Sequence, residues 1–118
     1  LLNARDKASS IYFIGNGGSA ATASHFANDI GIGTKSSDKP FRAVSLCDNH
    51  SVITAIANDY GYQDIFLRQL EILLNEQDVV VAISDDGIRY PPSLGIVTTN
   101  VSLAVKLNGV KSLTLITL

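Results

Sequence analysis

A single cysteine, Cys47, stands among 118 residues. No disulfide can close within the chain, and the count fits a reducing compartment. Excess charge is just as scarce, since nine basic side chains against eleven acidic ones leave a net charge of −2. That balance provides no basic footprint for a nucleic acid and no acidic tail. No stretch approaches the roughly 20 consecutive apolar residues of a membrane span. Leu1-Leu2-Asn3-Ala4-Arg5-Asp6-Lys7 does not follow the basic-then-apolar layout of a secretory leader. Internal repeats and low-complexity linkers are missing as well. The expectation from these absences is a cytoplasmic protein that engages neither nucleic acid nor membrane.

What is present is ordinary for a globular domain: 46% hydrophobic and 17% charged residues, over a length that suits one domain, residues 1–118. The chain opens without methionine and stops at Leu118 inside an apolar run, so the natural protein is expected to continue at both ends.

Ile11-Tyr12-Phe13-Ile14 is a short apolar run halted by glycine, and reads as a buried strand. Ala20, Ala23, Phe26, Ala27 and Ile30 then recur at helical spacing up to Gly31 and Gly33. A second strand is predicted over Arg42-Ala43-Val44-Ser45-Leu46. Asp48 or Asn49 is placed to cap a helix through Val52, Ile53, Ala55, Ile56 and Ala57. Asn58 to Tyr62 breaks that pattern, and a longer helix follows with Ile65, Phe66, Leu70, Leu73 and Leu74 on one face. Asp78 to Ser84 is apolar at consecutive positions, as a strand covered on both faces should be. A proline-bearing loop follows over Asp85 to Pro92, then a short helix from about Thr99-Asn100 to Gly109, and a last strand over Ser112 to Thr117. Alternating strands and helices predict a parallel sheet with helices on both faces, a three-layer α/β/α sandwich.

In such a sheet ligands bind at the carboxyl ends of the strands. Gly15-Asn16-Gly17-Gly18-Ser19 lies at one of those ends and leads into a helix. A helix N-terminus carries a partial positive charge and free N–H groups that attract anions. Glycines let backbone approach the anion, Ser19 adds a hydroxyl and Asn16 an amide. Two other readings stay open. One is a run that only turns the chain; the other is a loose G-x-G-x-x-A dinucleotide fingerprint. The acidic residue that fingerprint requires about 20 positions on is misplaced, because Asp38 precedes the second strand and Asp48 comes too late. The lysine of a P-loop is absent too. No nucleotide cofactor is expected.

Phe13 to Ala21 followed by His25-Phe26-Ala27, the block Ala57-Asn58-Asp59-Tyr60-Gly61-Tyr62-Gln63-Asp64-Ile65-Phe66, and Gln77 to Ser84 together resemble, in collinear order, the sugar isomerase (SIS) domain of phosphoheptose isomerases. The resemblance implies a flavodoxin-like fold, a sedoheptulose 7-phosphate substrate and a homotetramer. Asn16, Gly17, Gly18, Ser19 and Ser84 would clamp the phosphate, and Asn58 and Asp59 would contact sugar hydroxyls. For the last two, the residues alone fit a helix-terminating turn equally well.

His25 and Asp29 are four apart and share a helix face. Read alone, the two are a solvated pair. The resemblance implies that His25 is a zinc ligand. A glutamate, which would be both ligand and proton shuttle, stands in the family where this chain has Asp29. Aspartate can bind zinc and act as a base, with a reach shorter by one methylene. The family's remaining zinc ligands, a glutamine and a histidine, lie in a C-terminal helix beyond Leu118. Two ligands do not complete a tetrahedral site, and His50 reads as a loop or cap residue.

After Ser84 the family carries a serine-rich phosphate loop, whereas this chain has Asp85-Asp86-Gly87-Ile88-Arg89. Two carboxylates repel a phosphate, which Arg89 offsets in part. Asp85 to Thr99 would then be an enlarged loop, with Thr98 and Thr99 at the next helix N-terminus. The function implied is proton transfer between adjacent carbons of a ketose or aldose phosphate through an enediol, with Asp29 as base. The alternative is a non-catalytic phosphosugar-binding SIS protein with a regulatory or protein-interaction role.

Overall fold

The computed structural model describes residues 1–84 and the backbone of residues 113–117. A five-residue helix α1 (Leu2–Asp6) leads into strand β1 (Ser10–Ile14), then helix α2 (Gly18–Gly31) and strand β2 (Arg42–Ser45). Helix α3 (His50–Asp59), a 3-10 turn (Tyr62–Asp64) and helix α4 (Leu67–Leu73) precede strand β3 (Val79–Ser84) and strand β4 (Leu113–Thr117). All pairings are parallel, in the order β2-β1-β3-β4. The expected parallel α/β/α sandwich is therefore present. The helix expected from Thr99-Asn100 to Gly109 lies outside the described residues.

The order places β1 between β2 and β3. The chain leaves β1 toward one neighbour and later returns on its other side, which makes the carboxyl ends of β1 and β3 a topological switch point. Alternation along the strands divides the core in two. Ile11, Phe13, Val79, Val81 and Ile83 pack with Ala23 and Ala27 of α2. Tyr12, Ile14, Val80 and Ala82 pack with Ile65, Phe66, Leu67 and Leu70 on the opposite face. A strand buried on both faces has no polar alternation, which is why residues 11–14 of β1 and 79–83 of β3 run apolar without a break. Edge strand β2 is instead half exposed along its length.

At the helix ends the structure sharpens the sequence reading. α2 starts at Gly18, inside the glycine run. Asn49 is the residue that caps α3, its side chain accepting from the Val52 N–H at 3.1 Å; His50 is the first helical residue. The longer helix is confined to α4, because Ile65 and Phe66 are already buried before it starts. Leu73 ends α4 half exposed, and its carbonyl accepts the Tyr12 hydroxyl at 3.1 Å.

Buried polar groups tie the layers together. Asp78 is 4% exposed, accepting the Ser10 N–H at 2.7 Å on one oxygen and the Asn75 N–H at 2.8 Å on the other. One carboxylate thus joins the start of β1 to the turn before β3. Gln69, also buried, donates to the carbonyls of Leu46 at 3.1 Å and Ile65 at 2.9 Å. Asp78→Ala strands two amide donors, each costing on the order of 1–3 kcal/mol when left unsatisfied. The expected loss of unfolding free energy is about 2–4 kcal/mol, read from the urea midpoint at unchanged slope.

Candidate functional site

The glycine run occupies the predicted place, at the carboxyl end of β1. Gly17 adopts φ +54° and ψ −123°, backbone that side chains other than hydrogen rarely tolerate. It is the N-cap residue of the 14-residue α2, and no side chain caps that end. A glycine-led helix start with no side-chain cap is the kind of terminus whose backbone and dipole suit an anion. Gly17 and Gly18 are exposed, Asn16 is half-buried, and Ser19 is buried in the first turn.

Ser84 stands on the same edge of the sheet. Ile14 pairs with Ala82, so Ser84 lies two residues past that pair, level with the glycine run and one strand spacing, about 4.8 Å, to the side. These positions bring together the five residues of the expected phosphate clamp. The Asp85 to Thr99 segment, with Arg89, Thr98 and Thr99, lies outside the described residues.

Beneath the loop, the Cys47 thiol donates to the Gly15 carbonyl at 3.4 Å, and the Cys47 N–H donates to Ser45 Oγ at 3.1 Å. Ser24 of α2 meets both Ser45 Oγ, at 3.1 Å, and Asp48 Oδ1. This seam holds α2 against the end of β2. Burial pushes the Cys47 thiol pKa up; the Ser45 hydroxyl draws it partway back and the Asp48 charge adds to the rise.

Asn58 and Asp59 form the last turn of α3, where the Asn58 amide donates to Asp59 Oδ1 at 2.8 Å. Both are exposed. A carboxylate at a helix C-terminus faces the negative end of the dipole, so its place there earns nothing for the helix itself. Past Gly61 the chain returns toward the glycine run, and the Tyr62 hydroxyl donates to Asn16 Oδ1 at 2.8 Å. Tyr62 was not among the residues singled out from the sequence, since its partner lies 46 positions away and no local pattern marks the pair.

His25 and Asp29 do share a face of α2, with His25 Nε2 3.2 Å from Asp29 Oδ2, and both are exposed. An imidazole and a carboxylate this close present two adjacent donors of the types zinc accepts. Among the described residues, no group of three or more His, Cys, Asp or Glu side chains could hold a metal. The fit is that of half a site.

A family model for the SIS domain matches residues 1–92. The chain belongs to the SIS domain family. Phosphoheptose isomerase from Helicobacter pylori strain P12 is 44% identical over 87 residues, covering 74% of this chain and 45% of that protein. Phosphoheptose isomerase from Geobacter sulfurreducens is 51% identical over 74 residues, covering 63% and 39%. The structure of phosphoheptose isomerase from Neisseria gonorrhoeae superposes with a TM-score of 0.78 at 32% identity, over 98% of this chain and 56% of that one. The Francisella tularensis phosphoheptose isomerase gives 0.75 at 26%, with the same coverage. The chain spans about half the length of the curated relatives it matches. Among the described residues of this SIS domain, no helix is long and apolar enough to cross a membrane.

Two expectations follow. A Cβ on Gly17 meets nothing within 4 Å, so Gly17→Ala costs only backbone strain, on the order of 1–3 kcal/mol. The loop is expected to relieve that strain by changing conformation, so phosphate affinity falls more than the thermal midpoint does; titration calorimetry beside a melting curve separates the two. For Cys47, a pKa raised by folding means that the folded state holds the thiol proton more tightly than the unfolded chain. Its contribution to stability is complete below the ordinary thiol pKa and is lost as pH rises through the folded one. Iodoacetamide should alkylate folded Cys47 with a pH midpoint above that of the urea-unfolded chain, and coincident midpoints would refute this.

Proposed function

We propose that this SIS domain forms the phosphate-binding half of an aldose–ketose isomerase acting on a sugar phosphate, with sedoheptulose 7-phosphate the best match. The observation that carries the reading is the uncapped α2 N-terminus behind Gly17, level with Ser84 at the switch point of the sheet. The relatives named phosphoheptose isomerase support the substrate. In this reading the backbone of Gly17 and Gly18, with Ser19, the Asn16 amide and the Ser84 hydroxyl, forms the phosphate clamp. Asn58 and Asp59 orient hydroxyls along the sugar.

His25 is seven residues into α2 from Gly18, about 10 Å along the axis, and Asp29 is one turn further. An open-chain sugar with phosphate at one end and carbonyl at the other spans such a gap. Isomerisation removes a proton from the carbon beside the carbonyl and returns it to the neighbouring carbon, with an enediol between. Asp29 is the base assigned to this transfer, and His25, whose Nε2 lies 3.2 Å from Asp29 Oδ2, holds the carboxylate in place. A zinc ion, if bound, would be held by His25 and Asp29 with ligands from beyond the described residues, and would supply polarisation of the sugar oxygens. The assembly proposed is a homotetramer and the compartment the cytoplasm.

Turnover of sedoheptulose 7-phosphate by the full-length protein, measured with and without added zinc, tests the reading. Asp29→Asn should lower kcat by roughly 100-fold or more, the usual worth of a general base, while sugar phosphate binding persists. Binding by the unaltered protein without any turnover would sink the isomerase assignment and leave a phosphosugar-binding module.

A further inference from the structure

Asn16 sits in the glycine run where an anion would lie, yet an asparagine amide can serve an anion only through its NH2 group. Its carbonyl oxygen on that side would repel. An asparagine free to rotate in a half-buried loop offers either end. Here the Tyr62 hydroxyl donates to Asn16 Oδ1 at 2.8 Å, which occupies the carbonyl end and leaves Nδ2 on the other side of the amide.

Tyr62 is itself held in place. Gly61 takes φ +106°, the left-handed backbone that turns the chain from α3 into the 3-10 turn. On either side of Tyr62, Arg68 secures the flanks. Its guanidinium lies 4.0 Å from the Tyr60 ring centroid, and its Nε lies 3.3 Å from Asp64 Oδ2. The Tyr62 ring is 57% exposed, so core burial does not account for where it points. The same turn follows directly on Asn58 and Asp59.

We propose that Tyr62 is a positioning residue for sugar phosphate binding: its hydroxyl orients the Asn16 amide toward the anion and couples the phosphate loop to the turn that carries Asn58 and Asp59. The proposal rests on the phosphosugar reading above. It acts on affinity rather than on proton transfer, because the hydroxyl works through Asn16 and lies at the phosphate end of the site.

The test is Tyr62→Phe, Asn16→Ala and the double variant in the full-length protein, with sedoheptulose 7-phosphate as the ligand in calorimetry and turnover. Loss of one hydroxyl from an exposed ring should leave the thermal midpoint within about 2 °C. Kd and KM should rise roughly 3- to 10-fold, the worth of one hydrogen bond, with kcat within about twofold. Asn16→Ala should weaken binding at least as much, and the double variant should bind no worse than Asn16→Ala alone, because both changes remove one linked unit. Unchanged affinity in Tyr62→Phe, or effects of the two changes that simply add, would overturn the positioning role. If Asn16→Ala binds weakly while Tyr62→Phe does not, only that role falls and the phosphate loop stands. If the unaltered protein fails to bind the sugar phosphate, both fall together.

Discussion

The rest of the structure depends on β1 being buried on both faces. Ile11 and Phe13 face α2, while Tyr12 and Ile14 face the α4 layer, so the strand cannot slip by one residue without exchanging its two sets of side chains. β2 on one flank and β3 on the other fix its register by backbone pairing. The Asp78 carboxylate closes the lower end of that arrangement by holding the Ser10 N–H. At the upper end the strand has one way out, through Gly15 and Gly17 into α2. The placement of the glycine loop is thus a consequence of core packing: the strand buried on both faces delivers the glycine run to the switch point of the sheet.

This dependence explains what was legible in the sequence. β1 and β3 could be read because two-sided burial writes itself as consecutive apolar residues, and α2 because Ala23, Phe26, Ala27 and Ile30 face one layer. His25 and Asp29 could be paired because helical spacing alone brings them together. The α1 helix could not be read, since five residues with one buried side chain, Ala4, carry almost no periodic signal. α4 was drawn too long because Ile65 and Phe66 are buried from a 3-10 turn and its exit, and burial without helix geometry looks the same in a sequence. α3 contributes no fully buried residue, so its boundaries rested on the Asn49 cap and the Asn58 to Tyr62 break.

The site shows a sharper division. Its loop half is local, a run of five residues whose conformation follows from glycine and from the strand that feeds it. The half that orients the loop is not local. Asn16 and Tyr62 meet from 46 positions apart, and Cys47 reaches the Gly15 carbonyl from 32 positions away. Each of these contacts needs the fold before it can exist, and no spacing rule foretells it.

The two halves also differ in rigidity, and this bears on how one family scaffold can tolerate a changed base. The phosphate end is anchored by backbone: Gly17 conformation, the α2 terminus, the Cys47 and Ser45 contacts below. The His25–Asp29 pair stands on the exposed face of α2, held only by exposed side-chain contacts, the ion pair itself and a 3.3 Å hydrogen bond from the Asn28 amide to Asp29 Oδ1. Exposed pairs of this kind add little to stability, so on the proposed reading an aspartate rather than a glutamate at position 29 would cost the fold almost nothing and would matter through reach alone. On the proposed reading, the shorter carboxylate of Asp29 would meet the sugar from a helix that the core and the Ser24, Ser45 and Asp48 seam hold in place. With the phosphate at the glycine loop, the carbon chain of the sugar would be the part free to adjust, and the end of α3 with Asn58 and Asp59, followed by Tyr62, would be the element placed to bend it toward Asp29.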